Sequence, residues 1–209
     1  MDVRSPRPQQ LALAVDGHSM YYAQQKLGWF FDPRRLLTLA GSQPGLELGS
    51  AFWYAGLKDA TDQRPFRDAL SSLGYTVRTR FLRELPGGSD ELRYHEQRSA
   101  EQRHYVRANL DVEIAIDLLT VAPRTDEVWL LSGSRDLDRL VEVLRAQGLK
   151  ITLITTEGMV ARELRNAVDR FIDLATLRPQ LEKADVQQPR PQRAIRDPGL
   201  GCALESTNS

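Results

Sequence analysis

The chain has 209 residues, of which 28 are basic and 28 acidic, so its formal net charge is zero. This length fits one domain with residues to spare at its ends, and 41% apolar residues suffice for a core. A neutral chain is not expected to coat nucleic acid through bulk positive charge, although a local basic patch is still allowed.

The only cysteine is Cys202, which excludes an intrachain disulfide framework and a cysteine-ligated metal. The N-terminal stretch has no apolar segment long enough for a signal peptide. No window approaches the ~20 apolar residues that cross a bilayer. We therefore expect a cytoplasmic protein without a membrane partner.

Short apolar runs alternate with helical patterns along the chain. In chain order, the pattern predicts a strand over 11–15, a helix over 33–41, a strand over 50–54, a helix over 65–73, a strand over 75–82, a helix over 98–121 that is broken near 109–111, a strand over 127–131, a helix over 136–147, a strand over 150–155, a helix over 159–168 and a weaker strand over 170–174. Such alternation is typical of a parallel sheet with helices on both faces.

The domain organisation follows from the same pattern. We predict a three-layer α/β/α domain over residues 9–176, preceded by a flexible N-terminus over 1–8. From residue 177 onward the chain is rich in proline, glutamine and scattered charge, and it has little to bury. Residues 177–209 are therefore predicted to be a disordered tail.

Three aspartates are expected at one edge of this sheet. Ligands of open parallel sheets bind beyond the carboxyl ends of the strands. Asp16 follows the first strand and Asp136 the fourth, while Asp111 begins the helical run that leads into the fourth strand. Singly, each has an ordinary structural explanation, Asp16 as part of a turn and the others as helix caps. Their convergence on one edge is what favours a shared site.

Neighbouring carboxylates repel one another, and a divalent cation is the usual way to hold them together. Oxygen ligands without cysteine, and without a histidine pair at ligand spacing, favour Mg²⁺ or Mn²⁺ over zinc. Such an ion activates water and stabilises charge on a phosphodiester oxygen, so the predicted reaction is metal-assisted phosphodiester hydrolysis. Asp117 would lie about 9 Å further along the helix than Asp111 and on another face, which ranks it lower.

Four segments carry a family resemblance: LAVDGHSMYY, LDVEIAIDLLTVA, VWLLSGSRDLDRLVEVLRAQGLKITLI and ELRNAVDRFIDL. Together they resemble the NYN domain (LabA-like) proteins of the PIN-like nuclease superfamily, over most of residues 11–174. The resemblance implies a Rossmann-like, PIN-like sheet, a Mg²⁺-dependent ribonuclease-type acidic site and RNA substrates. It places Asp16, Asp111, Asp117 and Asp136 on the family's acidic positions. Asp16, Asp111 and Asp136 would bind the metal, and Asp117 would support these ligands without itself binding the metal.

The turn after the fourth strand departs from the family pattern. The family has Ser-Gly-Asp-Ser-Asp, whereas this chain has Ser132, Gly133, Ser134, Arg135 and Asp136. A hydroxyl is a poorer Mg²⁺ ligand than a carboxylate, and a nearby guanidinium competes with the cation. The substrate-facing alternatives are that Ser132 and Ser134 contact water or the metal and that Arg135 binds a backbone phosphate, for which its fork is well suited.

A basic stretch precedes Asp111. Arg103 and Arg107 are four residues apart and would share a helical face. Neighbouring glutamates make a solvated helix the plainer interpretation, and the alternative is a rim that follows the phosphates of single-stranded RNA. Tyr21 and Tyr22, shortly after Asp16, are candidates to line a cleft.

We therefore predict a Mg²⁺- or Mn²⁺-dependent ribonuclease that acts on single-stranded RNA. The sequence allows a homodimer but does not decide the oligomeric state. The first alternative is a non-catalytic RNA-binding or regulatory protein with a degenerate metal site, which Ser134 and Arg135 favour. A phosphatase is disfavoured because no second aspartate stands two residues after Asp16. A dinucleotide-binding enzyme is disfavoured because no Gly-x-Gly-x-x-Gly follows the first strand.

Overall fold

The computed structural model describes residues 7–84, 105–106 and 109–183. Its elements in chain order are β1 (Gln9–Asp16), α1 (Gly17–Leu27), α2 (Pro33–Gly41), β2 (Leu46–Leu57), α3 (Arg64–Ser72), β3 (Thr76–Phe81), β4 (Arg83–Glu84), β5 (Tyr105–Val106), α4 (Asp111–Val121), β6 (Glu127–Leu131), α5 (Asp138–Ala146), β7 (Lys150–Thr155), α6 (Arg162–Ala167), β8 (Arg170–Asp173) and α7 (Arg178–Leu181).

The main sheet of the described chain has six parallel strands in the order β3-β2-β1-β6-β7-β8. The chain runs outward from β1 through β2 to β3, and then restarts at β6 on the other side of β1. Where the strand order reverses, the carboxyl ends of open parallel sheets form a crevice. The predicted α/β architecture is thus confirmed, and the crevice lies between β1 and β6.

The central strand explains the three layers. The LALAV run of β1 is buried on both faces, as expected for the middle of a parallel sheet. Successive side chains alternate between two cores: Leu13 packs in a cluster with Met20 of α1, and Ala14 packs in a cluster with Ile114 of α4. Helices α1, α2, α3 and α7 therefore cover one face, and α4, α5 and α6 cover the other.

Helix ends follow their predicted signals. The Asp32 carboxylate accepts a hydrogen bond of 2.8 Å from the Arg34 amide, and proline follows Asp32 at the first position of α2. After α3 and α5 the chain reverses at Gly74 and Gly148, with φ of 101° and 91°. Glycine adopts this left-handed conformation at little cost.

Two predicted elements are corrected by the structure. The helix expected over 98–121 covers only Asp111–Val121 among the described residues, because Tyr105–Val106 instead pairs as an antiparallel strand with Arg83–Glu84. Tyr and Val suit strands, and a partner strand distant in sequence overrides the local helical pattern. Helix α1 was not predicted at all, since its sequence begins with glycine and is weakly amphipathic.

The packed chain also continues past the boundary predicted at residue 176. Helix α7 follows it, the Leu181 side chain is fully buried, and the Leu181 carbonyl accepts a hydrogen bond of 2.8 Å from the Asp32 amide. The other residues of the two predicted termini, 1–6 and 184–209, lie outside the described part of the chain. None of the helices in the part described has the length and apolar character needed to span a bilayer.

Candidate acidic site at the carboxyl edge of the sheet

Asp16 ends β1 and caps α1. Its Oδ1 accepts hydrogen bonds of 3.1 Å from the amides of His18 and Ser19, and its Oδ2 accepts one of 2.5 Å from the Ser19 hydroxyl. The residue is only 3% exposed. Amides at a helix N-terminus, and the helix dipole behind them, stabilise a carboxylate in this position. The capping role and a role in the predicted site are therefore compatible.

Ser132 connects the end of β6 to Asp16. Its hydroxyl donates a hydrogen bond of 2.9 Å to Asp16 Oδ2 and accepts one of 3.1 Å from the amide of Ser134. Ser132 is completely buried. Because β6 lies directly beside β1, the short side chain of Ser132 reaches the carboxylate across the switch point.

Asp111 enters the same group from α4. The Ser134 hydroxyl donates a hydrogen bond of 3.3 Å to Asp111 Oδ2, and the Asn109 side chain accepts one of 2.8 Å from the Asp111 amide. Asp111 is 7% exposed. Two of the three predicted aspartates thus converge, joined by the chain Asp16–Ser132–Ser134–Asp111. We name these four residues the acidic site.

Two glycines make this close arrangement sterically allowed. A Cβ on Gly17 would stand 2.6 Å from the Tyr54 carbonyl oxygen, and one on Gly133 would stand 2.2 Å from the Met159 carbonyl oxygen. Both contacts involve backbone atoms, so a larger residue would push the chain apart. The glycines of the Asp-Gly and Ser-Gly-Ser turns are therefore explained by packing.

Asp136 does not join the acidic site. It lies in a short 3-10 turn, Arg135–Leu137, that precedes α5, and both Asp136 and Arg135 are exposed. Within the described residues, no three His, Cys, Asp or Glu side chains are grouped closely enough to hold a metal ion. The structure thus brings together two of the three carboxylates that were predicted to share a site, with Ser134 beside Asp111 and Asp136 exposed.

Asp117 also has a different environment. Arg78 on β3 binds it with two hydrogen bonds, of 2.9 Å from Nε and 2.8 Å from Nη2, and the Tyr54 hydroxyl donates a third of 3.3 Å. Burial, reinforced by the Asp117 carboxylate, raises the pKa of Tyr54 well above its ordinary value. Tyr54 therefore stays a neutral donor, and the structure does not bring Asp117 to Asp16.

Two contacts of the predicted site residues were not predicted from sequence, and two predicted residues lie outside the described part of the chain. The Ser19 contact with Asp16 was not predicted because helix α1, which places Ser19 three residues after its N-cap, was not predicted. The Arg78 contact with Asp117 was not predicted because it joins segments 39 residues apart. Arg103 and Arg107, predicted to contact substrate, lie outside the described residues.

The donor set of the acidic site fits a hard cation. It offers two carboxylates and two hydroxyls, all of them oxygen donors. Mg²⁺ commonly binds through one or two protein carboxylates and fills its remaining positions with water and substrate phosphates. The residues present therefore fit an ion that shares its coordination with water and a phosphate better than an ion enclosed by protein.

A parallel six-stranded sheet with two buried aspartates near the β1–β6 switch point defines an open α/β domain with an acidic site at the carboxyl edge of its strands. The family model described as the NYN domain matches residues 10–175, and the chain belongs to that family. It is 51% identical, over 183 residues, to the protein called low amplitude and bright protein LabA from Synechococcus elongatus, covering 88% of this chain and 93% of LabA.

A solved structure shows the same fold. A protein of unknown function from Vibrio parahaemolyticus superposes with a TM-score of 0.64 at 24% identity. The match covers 82% of this chain and 96% of that one. At this identity the likeness concerns the fold alone.

Proposed function

We propose that this chain binds single-stranded RNA at the carboxyl edge of the sheet and hydrolyses its phosphodiester bonds with Mg²⁺ or Mn²⁺. The observation that carries the proposal is the meeting of two buried carboxylates, Asp16 and Asp111, at the β1–β6 crevice. Membership of a nuclease-like, RNA-associated domain family supports it.

Asp16 and Asp111 would hold the ion. When bound, it would supply an activated water molecule and neutralise the charge that develops on a phosphodiester oxygen. The chain's own contribution is orientation. The α1 amides hold Asp16 Oδ1, the Ser132 hydroxyl holds Asp16 Oδ2, and the Ser134 hydroxyl holds Asp111 Oδ2. Such preorganised dipoles need not reorient during the reaction.

The second candidate function is RNA binding without turnover, as in a regulatory protein. One observation favours it: Asp136 is exposed and Ser134 donates to Asp111, so the acidic site contains a hydroxyl where the family pattern has a carboxylate. In this alternative the fold and the RNA surface are retained, while the affinity for the metal is too low for catalysis.

The experiment is cleavage of end-labelled single-stranded RNA by the wild type with Mg²⁺, by the wild type with a chelator, and by Asp16→Asn. Asp68→Asn, an exposed carboxylate on α3 with its side chain 74% exposed, is the matched control. Metal-dependent cleavage that Asp16→Asn abolishes and Asp68→Asn retains is the expected result. A pure wild-type protein that binds RNA but never cleaves it would support the non-catalytic alternative instead.

A further inference from the structure

An open cavity of about 900 Å³ adjoins the acidic site. Gly17 and His18, the two residues that follow Asp16, form part of its wall. The other notable lining residues are aromatic: Tyr21, Tyr22, Phe30, Phe31, Trp53 and Phe66. We name this space the aromatic cavity. The predicted position of Tyr21 and Tyr22 on a cleft is confirmed.

Several of these rings present large surfaces to solvent. Tyr21 and Tyr22 are each 48% exposed, and Phe30 is 47% exposed. The ring centroids of His18 and Tyr22 are 5.0 Å apart, those of Tyr21 and Tyr22 are 5.4 Å apart, and those of Tyr21 and Phe30 are 6.4 Å apart. The rings thus form a continuous wall that begins two residues from Asp16. Contiguous exposed apolar surface of this kind is typical of ligand-binding and interaction sites.

Cations surround the same cavity. Arg34, Lys58 and Lys183 line it and are exposed. Lys183 is positioned by its amide, which donates a hydrogen bond of 2.8 Å to the Phe30 carbonyl. Two carboxylates, Asp32 and Asp62, also line the cavity.

The two carboxylates are engaged by the backbone. Asp32 accepts a hydrogen bond of 2.8 Å from the Arg34 amide, and Asp62 accepts one of 2.9 Å from the Lys58 amide. Asp32 also caps α2, where the helix dipole offsets its charge. The rim thus carries three cations and two carboxylates, a net formal charge of +1.

We propose that the aromatic cavity binds unpaired bases of single-stranded RNA next to the phosphodiester at the acidic site. Proteins that bind single strands without sequence preference combine aromatic stacking surfaces with cations that follow the backbone, and this cavity contains both. The proposal rests on the proposed function in that it takes single-stranded RNA as the partner, but it does not depend on hydrolysis of that RNA.

The chemistry of the wall favours RNA over a protein segment or a second copy of the chain. The exposed part of the wall is aromatic rather than aliphatic, and cations border it. The cavity volume of about 900 Å³ also lies within the range of about 300–1,000 Å³ typical of pockets for small organic molecules, which is ample space for an unpaired nucleobase.

The test is RNA affinity of the full chain, measured by fluorescence anisotropy in a chelator, with a labelled single-stranded oligonucleotide and an abasic strand of equal length. We expect Tyr22→Ala to weaken binding of the base-containing strand by roughly 5-fold or more, because the stacking of one base on an aromatic ring raises the binding affinity by about this factor or more. Tyr22→Phe keeps the ring and should bind as the wild type does. Ile116→Ala removes an exposed apolar side chain from α4, on the other face of the sheet, and should also bind normally.

The abasic strand separates stacking from charge. It should bind weakly to the wild type, and Tyr22→Ala should not weaken it further. Unchanged binding of the base-containing strand by Tyr22→Ala would overturn the proposal, as would an equal loss for both strands. A wild type that binds no RNA would also overturn it and leave the cavity to a protein partner. RNA binding that depends on Tyr22 without cleavage by the wild type would refute hydrolysis and leave the base-binding cavity standing.

Discussion

Replacing Ser134 by aspartate tests the geometry of the acidic site. The Ser134 hydroxyl lies 3.3 Å from Asp111 Oδ2, so Ser134→Asp puts a second carboxylate against the first. Ser134→Asn has nearly the same shape without the charge, and it is the matched control. The difference in the free energy of unfolding between these two variants isolates the electrostatic cost.

The size of that cost follows from the distance. Two unit charges at 3.3 Å repel by about 5 kcal/mol at an effective dielectric constant of about 20. Protonating one carboxyl relieves the repulsion. With the ordinary aspartate pKa of about 3.9, this costs about 4 kcal/mol at pH 7 and about 1.5 kcal/mol at pH 5. The aspartate variant should therefore be less stable than the asparagine variant by up to these amounts.

The assay is urea denaturation of both variants at pH 7 and pH 5, with and without Mg²⁺. A cation that binds only the folded state adds about 2.7 kcal/mol at one hundred times its dissociation constant. We expect Mg²⁺ to recover most of the loss at pH 7 in Ser134→Asp and to have little effect on Ser134→Asn. Equal stability of the two variants at pH 7 in the absence of metal would refute the placement of Ser134 beside Asp111.

Two further predictions concern buried carboxylates outside the acidic site. Asp117→Asn should lower the free energy of unfolding by about 2 kcal/mol, because it weakens the bidentate pair with the half-exposed Arg78, yet it should leave RNA cleavage unchanged. Glu127→Gln should lower stability by about 2 kcal/mol at pH 7, because Glu127 accepts charge-assisted and neutral hydrogen bonds in the buried end of β6. Burial alone would raise the pKa of Glu127, but hydrogen bonds from Lys150, Thr152 and Trp129 outweigh it and hold that pKa below its usual value. The stabilisation is thus present above the unfolded pKa of about 4.3 and disappears as the pH falls through the lower folded value.

Urea denaturation across the pH range checks the second of these predictions. A stability difference between wild type and Glu127→Gln that grows on acidification would contradict it. For the first, loss of cleavage in Asp117→Asn at a temperature where the variant stays folded would mean that Asp117 belongs to the catalytic machinery after all.

The sheet and the first half of the site could be predicted from sequence because their determinants are local. The buried runs of β6 and β7 have the bounds that were expected, Glu127–Leu131 and Lys150–Thr155. Asp16 and Asp111 were found by one rule, that the ends of parallel strands and the starts of the preceding helices share an edge.

The remaining features depend on contacts between distant parts of the chain. Arg78 lies 39 residues before Asp117, and no sequence pattern in either segment predicts their ion pair. Asp136 is exposed and lies in a 3-10 turn, so α5 begins two residues after the predicted start. Such a change of conformation is too small for apolar periodicity to detect. The hydrogen bonds that Ser132 and Ser134 donate to Asp16 and Asp111 likewise join segments that are distant in sequence.

The most direct measurement is the single-turnover rate of RNA cleavage by Asp111→Asn beside that of Asp136→Asn. The acidic site contains Asp111 and excludes the exposed Asp136. We therefore expect the cleavage rate to fall by roughly 100-fold or more in Asp111→Asn, as for removal of a group that stabilises developing charge, and to stay near the wild-type value in Asp136→Asn. A severe loss in Asp136→Asn with normal cleavage by Asp111→Asn would contradict it.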